Sequence, residues 1–222
     1  MNPLVAVIVP VHNGVRFLAE TLDSVFAQDY RPLEVIVVDD GSTDGSAELA
    51  ATREVLVIRQ EQRGVAVARN VGIAASIAPI ITMLDQDDLW EPSKVRKQVD
   101  YLLAHPDHVV LCLQEFFVEP SIAQQPSWVR PEMMSGPVPG WMPSCLAFTR
   151  ATYERVGEHD PQYAQASDTD WIARAKAIGV PFATIDELLV RHRVHDTNDS
   201  GAPNAHKQLL QVVRRAVWRQ RR

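Results

Sequence analysis

Four short apolar runs, each followed by a segment with helical spacing, restrict the folds open to this chain. They occupy residues 5–9 (VAVIV), 35–38 (VIVV), 55–58 (VLVI) and 80–84 (IITML). A strand solvated on one face alternates apolar and polar residues, whereas an unbroken run belongs to a strand covered on both faces. Between the runs, Leu18, Leu22, Val25 and Phe26 fall at i, i+4, i+7 and i+8, a single helical stripe. Residues 65–77 read as another helix. Val95, Val99, Leu102 and Leu103 supply the apolar face of a further one, with Pro92 expected in its first turn. Residues 109–118 read as a fifth strand. This βαβα rhythm predicts an α/β fold, a mostly parallel sheet flanked by helices.

The rhythm then breaks. Residues 119–143 hold six prolines and two tryptophans, Trp128 and Trp141, without periodicity. Such a stretch inside a compact domain is a functional loop or a disordered one. Beyond it the patterns predict helices at 151–156 and 168–178, a strand at 182–190 and a terminal helix at 205–218. At 222 residues this makes one domain, 1–204, with a variable insert, followed by a basic helix, 205–222.

Charge is unevenly spread. The net charge is −6, yet residues 205–222 carry six basic side chains (Lys207, Arg214, Arg215, Arg219, Arg221, Arg222) and no acid. The rest holds 16 basic against 28 acidic residues, a body unsuited to nucleic acid and suited to holding a divalent cation between carboxylates. The basic helix either docks on that body or lies on anionic lipid, a peripheral membrane contact. No apolar run approaches the roughly 20 residues of a membrane-spanning helix. The N-terminus lacks the pattern of a secretory signal, so the expected compartment is the cytoplasm. The two cysteines, Cys112 and Cys145, read as reduced core thiols.

Polar clusters follow the apolar runs, where open α/β sheets bind ligands. They are Pro10-Val-His-Asn13, Asp39-Asp40-Gly41-Ser42-Thr43-Asp44, Asp85-Gln86-Asp87-Asp88 and, opening a late helix, Ser167-Asp168-Thr169-Asp170. Three carboxylates within residues 85–88 repel one another unless a cation or proton intervenes, and oxygen ligands suit Mg²⁺ or Mn²⁺. The plain alternative is a solvated acidic turn. In the second cluster Ser42 or Thr43 could cap a helix, while its carboxylates could accept from a base or ribose. Asp168 or Asp170 could serve as general base or merely cap a helix. Arg69 could counter phosphate charge or pair with acids. His195 could ligate metal, donate to a phosphate, or simply be a satisfied polar residue. No GxGxxG follows the first run and no Walker A lysine loop is present, so neither nicotinamide nor P-loop chemistry is supported.

Taken in order, VPVHN, VVDDGSTDGS, GVAVARNVGIAAS, MLDQDDLWEPSKV, SDTDW and RHRVHDTNDS resemble the family-2 type of inverting glycosyltransferases with the GT-A fold, a Rossmann-like mixed sheet. The resemblance spans residues 4–200. It implies that Pro10, Asn13 and Asp40 line a base pocket, that Asp85 touches ribose, and that Asp87 holds Mn²⁺ or Mg²⁺ on the diphosphate, with Asp88 following the motif. Asp168 matches the catalytic base, with Asp170 and Trp171 extending its helix on the acceptor side, where Trp141 is also expected. His195 and Asn198 match an element near the diphosphate, His195 as a second metal ligand. The implied partners are a nucleotide diphosphate sugar, expected to be a UDP-sugar, and an acceptor of unknown identity.

The chain departs from the pattern at His12, often Tyr in relatives, and at Ser167, usually Glu. It lacks a QxxRW motif and the long C-terminal helices of processive synthases, which favours single-sugar transfer. Rival readings are a catalytically inactive binding module of the same fold and a sugar nucleotidyltransferase, the latter lacking its glycine- and lysine-bearing N-terminal loop.

Overall fold

The computed structural model describes residues 1–122, 124, 126–163, 165–198 and 205–220. Asp199, Ser200, Arg221, Arg222 and the expected boundary at 204 lie outside the described residues, apart from Ala205 opening the last helix.

The first run becomes β1 (Val5–Val11), buried along its whole length. Alternate residues explain why it is unbroken. Val5, Val7 and Val9 face a core shared with Leu18, Leu22 and Val25 of α1 (Val15–Phe26) and with Val95, Val99 and Leu102 of α4 (Lys94–Ala104). Ala6 and Ile8 face the opposite core, built with Ala68 and Ile73 of α3 (Val65–Ala74) and Trp171, Ile172 and Ala175 of α6 (Ser167–Ala177). Both faces are dry, so neither tolerates a polar residue.

β2 (Leu33–Asp40), β3 (Leu56–Gln60) and β4 (Ile80–Met83) join β1 in parallel. The sheet continues through β8 (Ala147–Thr149), β6 (Val109–Val118), β9 (Phe182–Val194) and β5 (Leu89–Trp90), in the order β3-β2-β1-β4-β8-β6-β9-β5. The long registers are parallel, and the short pairings of β5 and β8 are antiparallel, giving the expected mixed sheet. Two helices complete the described α elements before the terminus: α2 (Ser46–Ala51) and α5 (Arg150–Val156).

Local departures have local causes. Ser42 and Thr43 do not cap α2. The helix starts at Ser46 behind Gly45, whose φ of 93° lies in the left-handed region. Ser42 Oγ instead accepts from the Asn13 N–H (2.9 Å), and the Thr43 N–H donates to Asn13 Oδ1 (2.9 Å). Pro92 stands before the N-cap Ser93 rather than inside the first turn. β9 runs four residues past the expected strand because Arg191, His192, Arg193 and Val194 pair with Glu115 to Val118 of β6 despite their polarity. In the 119–143 segment, a 3₁₀ turn (Pro131–Met134) leads to β7 (Val138–Pro139), which pairs with β6. The basic helix, α7 (Ala205–Gln220), packs on α6 through Val212, buried with Tyr163 and Ala166.

Candidate functional site

β1, β2 and β4 end at the same edge of the sheet, and their following turns meet there. The 85–88 turn is pinned from several sides. Thr21 of α1 donates to the Gln86 and Asp88 carbonyls (2.9 and 3.0 Å), and the Asp85 N–H donates to Ser144 Oγ (3.1 Å). Gln86 in turn accepts from the His12 N–H (2.8 Å), locking the turn after β1 to the turn after β4.

The three aspartates of this turn separate by role. Asp88 is 0% exposed. It faces His192 Nδ1 at 2.8 Å, accepts from Ser144 Oγ at 2.6 Å and from the Arg193 N–H at 3.2 Å. Burial opposes charging His192, but Asp88, with Asp87 and Asp85 behind it, outweighs that and raises its pKa to about 9. Asp88, expected among the nucleotide-sugar contacts, is therefore an internal anchor with no surface to offer a ligand. Asp87 is 15% exposed at its side chain and reaches His195 Nε2 at 2.7 Å. The Thr197 N–H donates to His195 Nδ1 (3.2 Å), which leaves the Nε2 proton directed at Asp87. Asn198 braces the corner, accepting from the His195 N–H (2.6 Å) and donating to Asp87 Oδ2 (3.3 Å). Arg193 Nε holds the Asp87 carbonyl (3.0 Å), while its other nitrogens grip Glu20 (2.6 Å) and Glu119 (2.5 Å).

Asp85 meets Arg69 Nη2 at 2.8 Å, and the buried Arg69 also donates to Ser167 Oγ at 3.4 Å. One guanidinium thus spans from the 85–88 turn to the first turn of α6, where Asp168 sits. Asp168 is partly accessible, and its carboxylate accepts from the Thr169 N–H (2.7 Å). Burial raises its pKa above the usual carboxylate range, Arg69 and the Thr169 N–H pull it back, and Asp85 adds to the rise.

In the cluster expected to line a base pocket, Asp40 is 4% exposed and accepts from Gln60 Nε2 (2.6 Å) and the N–H groups of Arg63 and Gly64 (both 2.8 Å). Both its oxygens thus hold the turn into α3. Pro10 is buried at the end of β1, and Asn13 is exposed with φ at 50°. His12 lies between them and Asp40, with Nδ1 at 2.9 Å from the Asp40 carbonyl and Nε2 close to Gln62 (3.1 Å) and Asn13 (3.2 Å).

Three residues expected on the acceptor side are placed elsewhere. Trp171 is 0% exposed; it stacks on Phe148 and donates its indole N–H to the Gly157 carbonyl (2.9 Å). Asp170 is buried and paired with Arg174 one turn further along α6 (2.8 Å). Trp141 is half-exposed but packs on Phe182 and under the Lys176 ammonium (3.8 Å), at the end of α6 opposite Asp168.

Sequence reasoning missed Ser144, Thr21 and Asn70. Asn70 accepts from Tyr153 Oη (3.0 Å) and the His159 N–H (2.9 Å) and donates to the His159 carbonyl (2.8 Å), fixing the segment before α6. Thr21 and Ser144 are single polar residues without a local pattern, while Asn70 stands inside the quoted GVAVARNVGIAAS motif beside Arg69.

Asp87 and Asp85 offer oxygen donors at the mouth, the chemistry that Mg²⁺ and Mn²⁺ prefer. Among the described residues no three His, Cys, Asp or Glu side chains converge as a metal site. The residues therefore fit an ion that takes its remaining ligands from substrate phosphates and water.

A model of glycosyl transferase family 2 matches residues 6–159. The chain belongs to that family. Asp168 and His195 lie beyond the matched span. An uncharacterized glycosyltransferase of Rickettsia typhi is 30% identical over 211 residues, covering 88% of this chain and 65% of that protein. Glycosyltransferase GlyG of Streptococcus pneumoniae is 38% identical over 101 residues, covering 43% of this chain and 34% of its own length. Among solved structures, S. aureus TarS 1-349 in complex with UDP-GlcNAc matches with a TM-score of 0.76 at 17% identity, covering 97% of this chain and 66% of that one. That likeness establishes the shared GT-A fold. The chain spans less than two thirds of the length of these relatives. No helix among the described residues is long and apolar enough to cross a membrane.

Proposed function

We propose that this chain transfers a single sugar from a nucleotide diphosphate sugar to an acceptor nucleophile, with inversion at the anomeric carbon. The observation that carries the reading is Arg69, which touches Asp85 at 2.8 Å and Ser167 at 3.4 Å. It couples the leaving-group side of the cleft to the helix turn bearing the candidate base.

In this reading the acceptor oxygen attacks the anomeric carbon as the bond to the diphosphate breaks, and Asp168 takes the acceptor's proton. A base must be unprotonated yet basic enough to draw a proton, and the upward shift of Asp168 by burial moves it in that direction. Asp85 and Asp87 face the donor, the latter oriented by Asn198 and by His195 Nε2–H. A bound Mn²⁺ or Mg²⁺, held by Asp87, would neutralise charge on the leaving diphosphate. A role for His195 as second ligand requires its proton to move from Nε2 to Nδ1, where Thr197 Oγ1 lies at 2.9 Å to accept it. Uridine is the first base to test, because the fold neighbour TarS was solved with UDP and UDP-GlcNAc.

The test is a panel of nucleotide sugars read by thermal shift and nucleoside diphosphate release, with Mn²⁺ or EDTA. Saturable stabilisation by one nucleotide series, lost in EDTA and in Asp87→Ala, is the expected result. Stabilisation that survives EDTA removes the metal from the mechanism, and no stabilisation by any nucleotide sugar overturns the reading.

A further inference from the structure

We infer that His12 determines which nucleobase the donor carries, and that it selects a base with an imide edge, uracil or thymine. The inference rests on the transfer reading above and names the nucleotide class of its donor.

His12 stands where the turns after β1, β2 and β3 meet. Gln86 of the 85–88 turn clamps its backbone from both directions, accepting from the His12 N–H (2.8 Å) and donating to the His12 carbonyl (3.2 Å). A nucleotide whose diphosphate faces Asp85 and Asp87 at the end of β4 has β1 and then β2 beside it. From β4 across β1 to β2 is two strand spacings, about 10 Å, the reach of a ribose with its base. Ligands of open α/β sheets lie along this edge.

The imidazole is held in one tautomer. Its Nδ1 lies 2.9 Å from the Asp40 carbonyl, an acceptor, so Nδ1 carries the proton and Nε2 presents a lone pair. Two amides flank that lone pair. Asn13 Oδ1 is engaged by the Thr43 N–H (2.9 Å), which turns the Asn13 amino group to His12 Nε2 (3.2 Å). Gln62, exposed on the loop after β3, brings its own amino group to the same atom (3.1 Å). One lone pair shared between two donors leaves both available to a better partner. The row therefore reads donor, acceptor, donor.

The imide edge of uracil or thymine reads carbonyl, N–H, carbonyl, which is the complement of that row. Its N3–H donates to Nε2, and each amide turns to one carbonyl. Cytosine instead sets a bare N3 against Nε2, acceptor on acceptor, and an amino group against an amide donor. Adenine repeats the fault with N1 and N6. Guanine offers a matching N1–H but opposes an amino group to one amide. A polar group left facing its own kind costs about tenfold in affinity or more.

UDP, dTDP, CDP, GDP and ADP are titrated calorimetrically against the full chain in Mg²⁺. UDP is expected to bind at least about tenfold more tightly than CDP. UDP methylated at N3, which cannot donate, should bind the wild type no better than CDP. His12→Phe keeps a ring and removes the acceptor, and should bring the UDP-to-CDP ratio close to one. Gln62→Ala, at an exposed position, should weaken UDP binding. Equal affinity for dTDP means that the edge alone is read, and a preference for UDP over dTDP adds the ribose 2′-hydroxyl; both support the inference. Undiminished binding of the methylated UDP, an unchanged ratio in His12→Phe, or tighter binding of CDP, GDP or ADP overturns it and leaves the transfer reading standing. A uracil preference in a protein that releases no UDP from any UDP-sugar sinks the transfer reading alone. Binding of none of the five overturns both.

Discussion

Adjacent carboxylates can have opposite physical meanings, and Asp87 and Asp88 illustrate it. Asp88 is fully buried against a charged His192, so its loss strands an imidazolium in the core. Breaking one side of a buried pair costs about 3–5 kcal/mol. Asp88→Ala should therefore lower the free energy of unfolding by that order in denaturant titrations. Asp87→Ala, at the mouth, should leave stability nearly unchanged while removing metal-dependent nucleotide binding. Asp168 supplies the second prediction at this scale. Asp168→Asn should reduce kcat about 10²–10⁴-fold with nucleotide affinity retained, as expected for loss of a general base. Because burial raises the Asp168 pKa, activity should fall with decreasing pH above the ordinary carboxylate range, near 4. That acidic limb should vanish in the residual activity of Asp168→Asn. A limb that persists in the variant assigns it to another group.

At the scale of elements, α3 lies unusually close to the sheet, and Gly72 permits it. A Cβ at position 72 would stand 2.5 Å from Ile8 Cγ2 and 3.1 Å from Val38 Cγ2. Both neighbours are β-branched and buried, so they have little freedom to move aside. Gly72→Ala should gain helix propensity yet destabilise the fold by about 1–3 kcal/mol through overpacking, visible as a lower Tm. An unchanged or higher Tm would mean that α3 can slide. The apolar runs of β1 and β2 were legible because both their faces are dry, whereas the same kind of run in β3 belongs to the sheet's edge strand, with Leu56 48% exposed. β5 and β8, two and three residues long, carry no periodicity to read. The end of β9 was hidden by composition: Arg191, His192 and Arg193 look like a loop, and only their partners across the sheet make them a strand. The site divides similarly. Asp85, Asp87, Asp168 and His195 stand out as polar residues following apolar runs. Ser144 and Thr21 position them from distant segments that no local pattern connects, and Trp171 could not be told from an exposed aromatic until its stacking partners were known.

At the scale of the whole molecule, the sheet has two halves, and a buried polar joint fastens them. Lys94 of α4 is 0% exposed; its ammonium donates to Thr82 Oγ1 of β4 (3.1 Å) and Gln98 Oε1 (2.7 Å), and lies 3.9 Å from the centre of the Trp90 ring. Gln98 passes the connection on to the Cys145 carbonyl (2.8 Å) before β8. The joint therefore links β4, which leads into the 85–88 turn, to β6 and the entry of β8 through the Val110 and Cys145 carbonyls. Burial lowers the Lys94 pKa to about 8, against a weaker upward pull from Cys112 and Cys145. An unfolded lysine titrates near 10.4, so between about pH 8 and 10.4 the unfolded chain binds the extra proton. Stability from this group must then rise with pH across that window and be lost as pH falls through 8. Lys94→Met keeps the volume and removes the charge. Relative to that variant, the wild type should gain unfolding free energy steadily from pH 8 to about 10.4, measured by urea titration at successive pH values. A difference that is flat in pH would mean that Thr82, Gln98 and the Trp90 ring stabilise the ammonium well enough to cancel its burial. The joint would then be a charged clamp rather than a proton-releasing one.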